Sequence, residues 1–289
     1  MAVPRTRNAI RALLSAHGLA PLRARGQNFL VDGNLIDAIV RDADVGPDDC
    51  VLEVGTGTGI LTDALADRAG AVLSVDVDAR LQAVARGLRA WPPSVRFLEA
   101  DVLEGKRPLA PGGLAAWRGL GGDRLSPRVV STLPYAVATP FVANLLWTEG
   151  WTDAALLVQK EAAERFFAEE GTEAYGPVSV AVRLVAPGRV LRAVPPQVFW
   201  PVPKVESAVV RLAPGPPERM RRLRAAGLPA LLREGFAQRR KTLRKRFDAD
   251  RLAAAGIDPS SRPGDVPPAA WERLCLGGEK PASGADSLP

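Results

Sequence analysis

The chain has 289 residues and a formal net charge of +6, and hydrophobic residues make up 47% of it. These values are typical of a soluble globular protein with one large and one smaller domain, and the basic charge favours a polyanionic partner without identifying it. One histidine (His17) and two distant cysteines (Cys50 and Cys275) leave little material for metal binding or histidine catalysis. Since we find neither a leader-like N-terminus nor an apolar run of membrane-spanning length, we expect a cytoplasmic protein that uses no metal and no membrane.

Short apolar runs alternate with helical patterns through the first part of the chain. The runs predicted as buried strands are residues 51–54, 71–75, 95–98, 129–132 and 154–158. Apolar residues at helical spacing follow the first two of them. Alternation of strand and helix predicts a parallel sheet with helices on both faces.

Glycine and proline divide the rest of the chain. Residues 108–127 are rich in both and are predicted to form a loop. Residues 190–194 and 207–212 are strand-like and flank a proline-rich segment, which fits an antiparallel edge added to the parallel sheet.

The composition changes at residues 214–217, which read as a linker. Beyond it the pattern becomes helical and very basic, and the last residues, from 277 onward, are predicted to be disordered. We therefore predict an α/β domain over residues 1–213 and a small, basic, all-helical domain over residues 214–289. Nothing in the sequence demands an oligomer, so a monomer is expected.

A glycine-rich segment joins the first predicted strand to the first predicted helix, and residues 53–59 read EVGTGTG. Glycine permits a sharp turn there and lets a ligand approach backbone that has no Cβ in the way. Position 60 is isoleucine rather than the glycine of a dinucleotide fingerprint, and the ending of a phosphate-binding loop is absent. Taken alone, the segment is as consistent with a plain tight turn as with a binding loop.

Acidic residues near this loop favour a binding site. Asp76 ends the second strand, where a carboxylate can accept both hydroxyls of a ribose, and Asp101 follows the third strand, where it can accept from an adenine amino group. They predict an acidic pocket for a ligand that contains adenosine but no pyrophosphate, and Glu53 of the glycine-rich segment is a further candidate for binding it. S-adenosylmethionine fits, because its sulfonium is a cation. The alternative is that Asp76 and Asp101 only cap the helices that follow.

The fourth strand ends in the turn Thr132-Leu133-Pro134-Tyr135. An adenine amine is a poor nucleophile because its lone pair is delocalised into the ring, and carbonyl acceptors on its N–H groups can align it with a methyl carbon. A proline-rigidified turn can aim such carbonyls, and Tyr135 can stack on an extruded base. Taken alone, the motif is equally consistent with a plain turn that ends a strand. Phe199 can form the other wall of this pocket, although core packing is the more common role of an aromatic side chain.

Together these segments resemble the ribosomal RNA adenine N6-dimethyltransferases that modify small-subunit rRNA, from about Arg23 to about Leu274. The resemblance rests on several motifs in the family's order: GQNFL at 26–30, the glycine loop, QKE at 159–161, AYG at 174–176, the segment 199–207 and FAQRRKT at 236–242. It implies a Rossmann-like, seven-stranded S-adenosylmethionine-dependent methyltransferase domain with a small helical domain. It also implies transfer of methyl groups to N6 of two neighbouring adenines in a hairpin near the 3′ end of 16S rRNA, during assembly of the small ribosomal subunit.

The resemblance also assigns roles to residues. Asn28 and Leu30 help to close over the donor, and Gly55 and Gly57 lie against its methionine portion. In the same scheme Asp76 binds the ribose and Asp101 binds the adenine. The acceptor-site residues that it implies are Thr132, Leu133 and Tyr135.

One position departs from the family pattern: Thr132 stands where asparagine is usual. A threonine hydroxyl lacks the reach and the second donor of an amide. We expect the Leu133 carbonyl to take more of the alignment, with activity retained but slower. Two other functions remain alternatives to dimethylation of small-subunit rRNA. One is methylation of adenine in large-subunit rRNA, and the other is that of a ribosome-assembly factor with weakened catalysis.

A basic segment lies in the predicted helical domain. Residues 219–246 contain eleven Lys or Arg and one acidic residue. Such a surface binds phosphates without reading sequence, although a merely solvated helix face would look similar. We predict a helical face that presents charge while Leu243 and Phe247 pack inward. The residues predicted to bind RNA are Arg239, Arg240, Lys241 and Arg244.

Overall fold

A computed structural model of the protein describes residues 3–22, 26–103, 111–122 and 124–277. The chain divides into two compact units, and neither is continuous in sequence. The sheet unit comprises residues 1–163 and 188–213, and the helical unit comprises residues 164–187 and 214–289. None of the helices within the described ranges is long and apolar enough to cross a membrane.

The strands of the described residues all belong to the sheet unit. They are β1 (Phe29–Leu30), β2 (Asp49–Val54), β3 (Ala71–Asp76), β4 (Val95–Glu99), β5 (Ser126–Thr132), β6 (Asp153–Gln159), β7 (Gly188–Val194), β8 (Phe199–Trp200) and β9 (Ser207–Leu212). The helices are α1 (Arg7–Ala16), α2 (Gly33–Asp42), α3 (Ile60–Ala66), α4 (Ala79–Gly87), α5 (Pro111–Gly121), α6 (Tyr135–Leu145), α7 (Lys160–Phe167), α8 (Pro177–Val185), α9 (Pro217–Ala225), α10 (Leu228–Phe236), α11 (Ala249–Ala254) and α12 (Pro268–Cys275).

Seven strands form one mixed sheet in the order β4-β3-β2-β5-β6-β9-β7. Strands β2 to β6 are parallel, whereas β9 pairs antiparallel with both β6 and β7. This confirms the predicted α/β fold and its antiparallel edge. Every residue of β2 is buried, as expected of a strand whose sheet is covered on both faces. The carboxyl ends of the parallel strands meet at one edge of the sheet, where open α/β folds bind ligands.

The predicted loop over residues 108–127 is wrong for most of its length, because α5 occupies Pro111–Gly121. Trp117 is 1% exposed, and its indole N–H donates to the Cys50 carbonyl over 3.0 Å. A Cβ at Gly121 would lie 2.8 Å from the Cys50 Cβ, so glycine permits this close approach to β2. Tertiary packing therefore overrides the weak helix propensity of the segment. Residues 108–110 and 123 of the predicted loop lie outside the described residues.

The helical unit packs around Trp271 of α12, which is fully buried. Its ring stacks on Phe236 at a centroid distance of 5.4 Å and meets the ring of Phe247 edge-on at 6.4 Å. Tyr175 approaches Phe236 at 6.0 Å and donates its hydroxyl proton to the Val266 carbonyl over 2.7 Å. Residues 164–187 thus fold with the C-terminal helices, whereas we predicted one continuous domain over residues 1–213.

The helical face predicted in the basic segment is wrong, because this segment does not form one helix. Helix α10 ends at Phe236, and after a turn Leu243–Lys245 form a short 3₁₀ helix. The amide of Leu243 donates to the Ser261 carbonyl over 2.9 Å and that of Arg244 to the Pro259 carbonyl over 3.1 Å, so tertiary bonds replace helical ones. Leu243 is buried at 1% exposure, as predicted. The predicted disordered tail, beyond Gly277, lies outside the described residues.

Candidate active site

A cavity of about 410 Å³ opens at the carboxyl edge of the sheet, a volume typical of a small-ligand site. All of its lining residues belong to the sheet unit. The predicted donor and acceptor residues that line it are Asn28, Leu30, Glu53, Gly55, Gly57, Asp76, Asp101, Thr132, Leu133, Pro134, Tyr135 and Phe199. The fold therefore brings every one of these separated positions to one concave surface.

The glycine loop lies directly against the acceptor turn. Gly55 and Gly57 have φ of +88° and +53°, which a residue with a side chain rarely adopts. A Cβ at Gly55 would lie 3.4 Å from Cδ of Pro134 and 3.5 Å from the Thr132 carbonyl oxygen. On the other side, a Cβ at Gly57 would lie 3.6 Å from the Phe29 ring. The loop is thus confined between the turn and the β1 segment.

Asp76 both supports the loop and faces the cavity. Its Oδ2 accepts from the Gly57 amide over 3.0 Å, and its Oδ1 accepts from the Asp78 amide over 2.9 Å. Burial raises the pKa of Asp76, and these two amides oppose the shift. Each carboxylate oxygen retains capacity for a further hydrogen bond. The side chain of Asp78, rather than that of Asp76, accepts from the Arg80 amide and caps the N-terminus of α4.

Glu53 is the most deeply buried acid of the cavity, with no exposed surface. Its Oε2 accepts from the Thr62 hydroxyl over 2.6 Å, whereas Oε1 has no partner among the described residues. Burial raises the pKa of Glu53 to about 8. A buried carboxyl oxygen without a partner is costly unless a bound ligand supplies a donor or a cation. Its position in the wall of the cavity therefore fits a positively charged ligand.

Asp101 follows β4 at a more exposed point of the cavity wall, where its Oδ1 accepts from the Leu103 amide over 2.8 Å. Our prediction missed Val77, which also lines the cavity and is 52% exposed. An exposed apolar side chain directly after the ribose-binding candidate Asp76 could stack on a flat ring. The sequence signal was an apolar residue immediately after the acid that ends β3.

The acceptor turn is held at both ends. Leu133 donates its amide proton to the Leu157 carbonyl over 3.1 Å, and Pro134 precedes the first residue of α6. The Tyr135 hydroxyl is hydrogen-bonded to the Ser207 hydroxyl over 3.1 Å. Burial raises the pKa of Tyr135, so the ring remains a neutral phenol that can pack against an aromatic ligand.

A two-stranded ribbon joins two motifs that are far apart in the sequence. Strands β1 and β8 pair antiparallel, with Phe29 opposite Trp200 and Leu30 opposite Phe199. Phe199 is 3% exposed, and both it and Leu30 line the cavity. The donor-closing candidate Leu30 and the acceptor-wall candidate Phe199 are therefore direct neighbours.

This combination of fold and cavity is that of an S-adenosylmethionine-dependent methyltransferase. The glycine cradle and the unpartnered Glu53 oxygen suit the amino-acid and sulfonium portion of the donor, and Asp76 suits its ribose. Within the described ranges, no group of three or more His, Cys, Asp or Glu side chains is arranged to hold a metal ion.

The chain belongs to the ribosomal RNA adenine dimethylase family, whose model matches residues 23–274. A ribosomal RNA small subunit methyltransferase A from Phenylobacterium zucineum is 38% identical over 275 residues, which cover 92% of this chain and 90% of that protein. The protein of the same name from Moorella thermoacetica is 36% identical over 262 residues, covering 87% and 90% of the two chains.

Solved structures agree with the fold. A dimethyladenosine transferase from Plasmodium falciparum superposes with a TM-score of 0.68 at 23% identity, covering 84% of this chain and 94% of the other. The 23S rRNA methyltransferase ErmE superposes with a TM-score of 0.60 at 26% identity, covering 86% and 99%.

Proposed function

We propose that this protein transfers methyl groups from S-adenosylmethionine to N6 of adenine in small-subunit rRNA, giving N6,N6-dimethyladenine at two adjacent positions of a hairpin near the 3′ end. The family to which the chain belongs supports adenine dimethylation. The names of the curated relatives support the small subunit as the substrate.

One observation carries the proposal: the glycine loop and the acceptor turn touch. The Thr132 carbonyl and the Pro134 ring lie within 3.5 Å of the point where a Gly55 side chain would begin. A donor held on the loop would therefore present its methyl group beside the carbonyls of the turn. Such proximity converts a reaction between two molecules into one within a single complex.

On the donor side, we assign the methionine portion to Gly55, Gly57 and the unpartnered oxygen of Glu53. Each carboxylate oxygen of Asp76 accepts one backbone N–H and can accept a further hydrogen bond, so Asp76 would hold the ribose hydroxyls. Asp101 would bind the adenine. Asn28 and Leu30 would close over the ligand. The donor supplies an electrophilic methyl group on a sulfonium, and the protein contributes position and negative charge.

On the acceptor side, we assign recognition of an extruded adenine to Thr132, Leu133, Pro134, Tyr135 and Phe199. Main-chain carbonyls of the turn would accept both amine hydrogens and draw the nitrogen lone pair out of the ring system. The rings of Tyr135 and Phe199 would enclose the base. No strong general base is needed, because the amine proton becomes acidic once the methyl group is attached.

The helical unit would hold the rRNA backbone. Arg240, Lys241 and Arg244 are exposed and suit phosphate contacts. Arg239 is different, because its guanidinium donates to the carbonyls of Tyr175 and, over 2.8 Å, of Thr172. We therefore assign Arg239 mainly to the internal structure of the helical unit, which revises its predicted role in RNA binding.

Incubation of the protein with labelled S-adenosylmethionine tests the proposal. The substrates are unmethylated small subunits, large subunits and DNA, and label in dimethyladenine of the small subunit alone is expected. Label in the large subunit would favour the activity named for ErmE. Tight small-subunit binding without any label would favour a non-catalytic assembly factor. This alternative is included because Thr132 replaces the asparagine that is usual in the family. We further propose that the protein is cytoplasmic, monomeric and free of metal. Light scattering of the purified protein would test whether it is a monomer, and metal analysis would test whether it holds a metal.

A further inference from the structure

Positive charge is concentrated at the start of the chain. The first 31 residues contain five arginines and no acidic residue, although the whole chain carries a net charge of only +6. Two of these arginines, Arg7 and Arg11, lie on helix α1 and are exposed. They are four residues apart and therefore share one side of the helix.

Helix α1 is fixed to the wall of the cavity. Its buried residues Ile10 and Leu14 pack in one cluster with Phe29 and Leu81, which both line the cavity. At its start, Arg5 forms ion pairs with Asp37 and Asp63 at 3.0 and 3.3 Å. The guanidinium of Arg5 is thus used inside the sheet unit, and α1 is anchored at both ends.

Arg7 and Arg11 are positioned without being neutralised. Arg7 donates to the carbonyl of Gln197 over 3.0 Å, and the guanidinium of Arg11 lies 5.9 Å from the centre of the Trp200 ring. Among the described residues, no carboxylate forms an ion pair with either arginine. A guanidinium has five donors, so both side chains keep donors for an anion. Trp200 in turn stacks on Phe29 at 6.4 Å.

We propose that Arg7 and Arg11 form a second RNA-binding surface that binds the phosphates next to the extruded base. The Trp200 ring positions the Arg11 guanidinium in this surface. Trp200 follows Phe199 of the acceptor wall and pairs with Phe29 of the cavity rim. When a base enters the cavity, the phosphates on either side of it must stay at the rim, and fixed arginines are suited to hold them. The inference rests on the proposed function and adds to it an RNA contact on the sheet unit.

The test compares full-length variants for binding to an RNA hairpin with the 3′-terminal small-subunit sequence, by fluorescence anisotropy at several salt concentrations. Arg7→Gln combined with Arg11→Gln should weaken binding about fivefold to tenfold and lower the slope of log Kd against log salt by about 1 to 2. Arg7→Lys with Arg11→Lys should keep most of the affinity and slope. Donor affinity, measured by calorimetry, should be unchanged in both.

The matched control is Arg41→Gln combined with Arg68→Gln. These exposed arginines precede the amino ends of β2 and β3, at the edge of the sheet opposite the cavity, so their removal should leave the slope unchanged. The proposal is overturned if the Arg7/Arg11 glutamine variant keeps the wild-type slope and affinity. It is also overturned if the lysine variant, with donor binding intact, loses as much as the glutamine variant. Absence of methylation by the wild-type protein would instead refute the proposed function, because the salt slope does not depend on catalysis.

Discussion

Thr132 stands at the point where the donor cavity meets the acceptor turn, and its single hydroxyl offers less to an adenine amine than an amide would. We expect Thr132→Asn to raise the single-turnover methylation rate roughly tenfold, which corresponds to about 1.4 kcal/mol of transition-state stabilisation. The measurement is rapid quench with saturating donor and unmethylated small subunits. An unchanged rate would show that the main-chain carbonyls already align the amine without help from residue 132.

Glu53 should make the stability of the protein depend on pH. Burial raises its pKa from 4.5 to about 8, so between these values the folded protein holds a proton that the unfolded chain has released. The stabilisation is complete below pH 4.5 and is lost as pH rises toward 8, by about 1.4 kcal/mol for each pH unit. Glu53→Gln cannot ionise, so its stability relative to the wild type should increase across this window in urea unfolding. A constant difference would contradict the assignment.

The same group should link donor binding to protons. A cationic donor favours ionised Glu53, so binding near pH 7 should expel the proton and should tighten as the pH rises toward 8. Calorimetry in two buffers of different ionisation enthalpy measures this release. Glu53→Gln should bind the donor more weakly and release fewer protons. Equal release by the variant and the wild type would assign the proton to another group.

At the scale of elements, the glycine loop depends on backbone conformations that a side chain disfavours. Gly55→Ala should weaken donor binding at least tenfold, because it strains φ at +88° and places a methyl group against Pro134. Gly171→Ala is the matched control, since Gly171 has φ of +84° but open space around it. Both variants should lose similar stability, but only Gly55→Ala should lose donor affinity in calorimetry. Equal donor affinity in the two would mean that the loop does not carry the donor.

The packing of α10 on α12 gives a second prediction at this scale. A Cβ at Gly235 would lie 2.8 Å from Cζ3 of Trp271, so Gly235→Ala should destabilise the helical unit by roughly 1–3 kcal/mol through overpacking. Gly87→Ala, at the end of α4 with nothing within 4 Å, should be neutral or slightly stabilising. Hydrogen exchange of the α10 and α12 amides checks the first variant. Unchanged protection there would show that the Trp271 ring can move aside.

In the whole molecule, exposed basic side chains are proposed to bind rRNA, whereas Arg239 makes contacts within the helical unit. Reversal to Glu at Arg240, Lys241 and Arg244 together should weaken binding to small subunits at least tenfold while donor binding survives. Arg239→Glu should instead lower stability, because Arg239 donates to the Thr172 and Tyr175 carbonyls. Filter binding and thermal unfolding separate the two effects. Loss of donor binding in the triple variant would indicate misfolding rather than a lost RNA contact.

The sequence predicted the strands of the main sheet because their apolar runs are long, buried and bounded by turn residues. It failed for α5, where glycine and proline indicated a loop while burial of Trp117 against β2 stabilises a helix. It also failed after Phe236, where α10 ends and the amides of Leu243 and Arg244 bond to the carbonyls of Ser261 and Pro259 instead of extending a helix. Both errors have the same cause, since contacts that are remote in sequence outweigh local propensity.

By itself, the sequence determined the family, the sheet and twelve of the residues that line the cavity, because motif spacing and strand order bring the carboxyl ends of strands together. Only the tertiary structure decided what individual side chains do. Glu53 acquires its unusual pKa through complete burial, and Arg239 is engaged inside the helical unit by carbonyls 64 and 67 positions away. Neither environment is encoded in neighbouring residues, since desolvation and long-range hydrogen bonds exist only once the chain has folded.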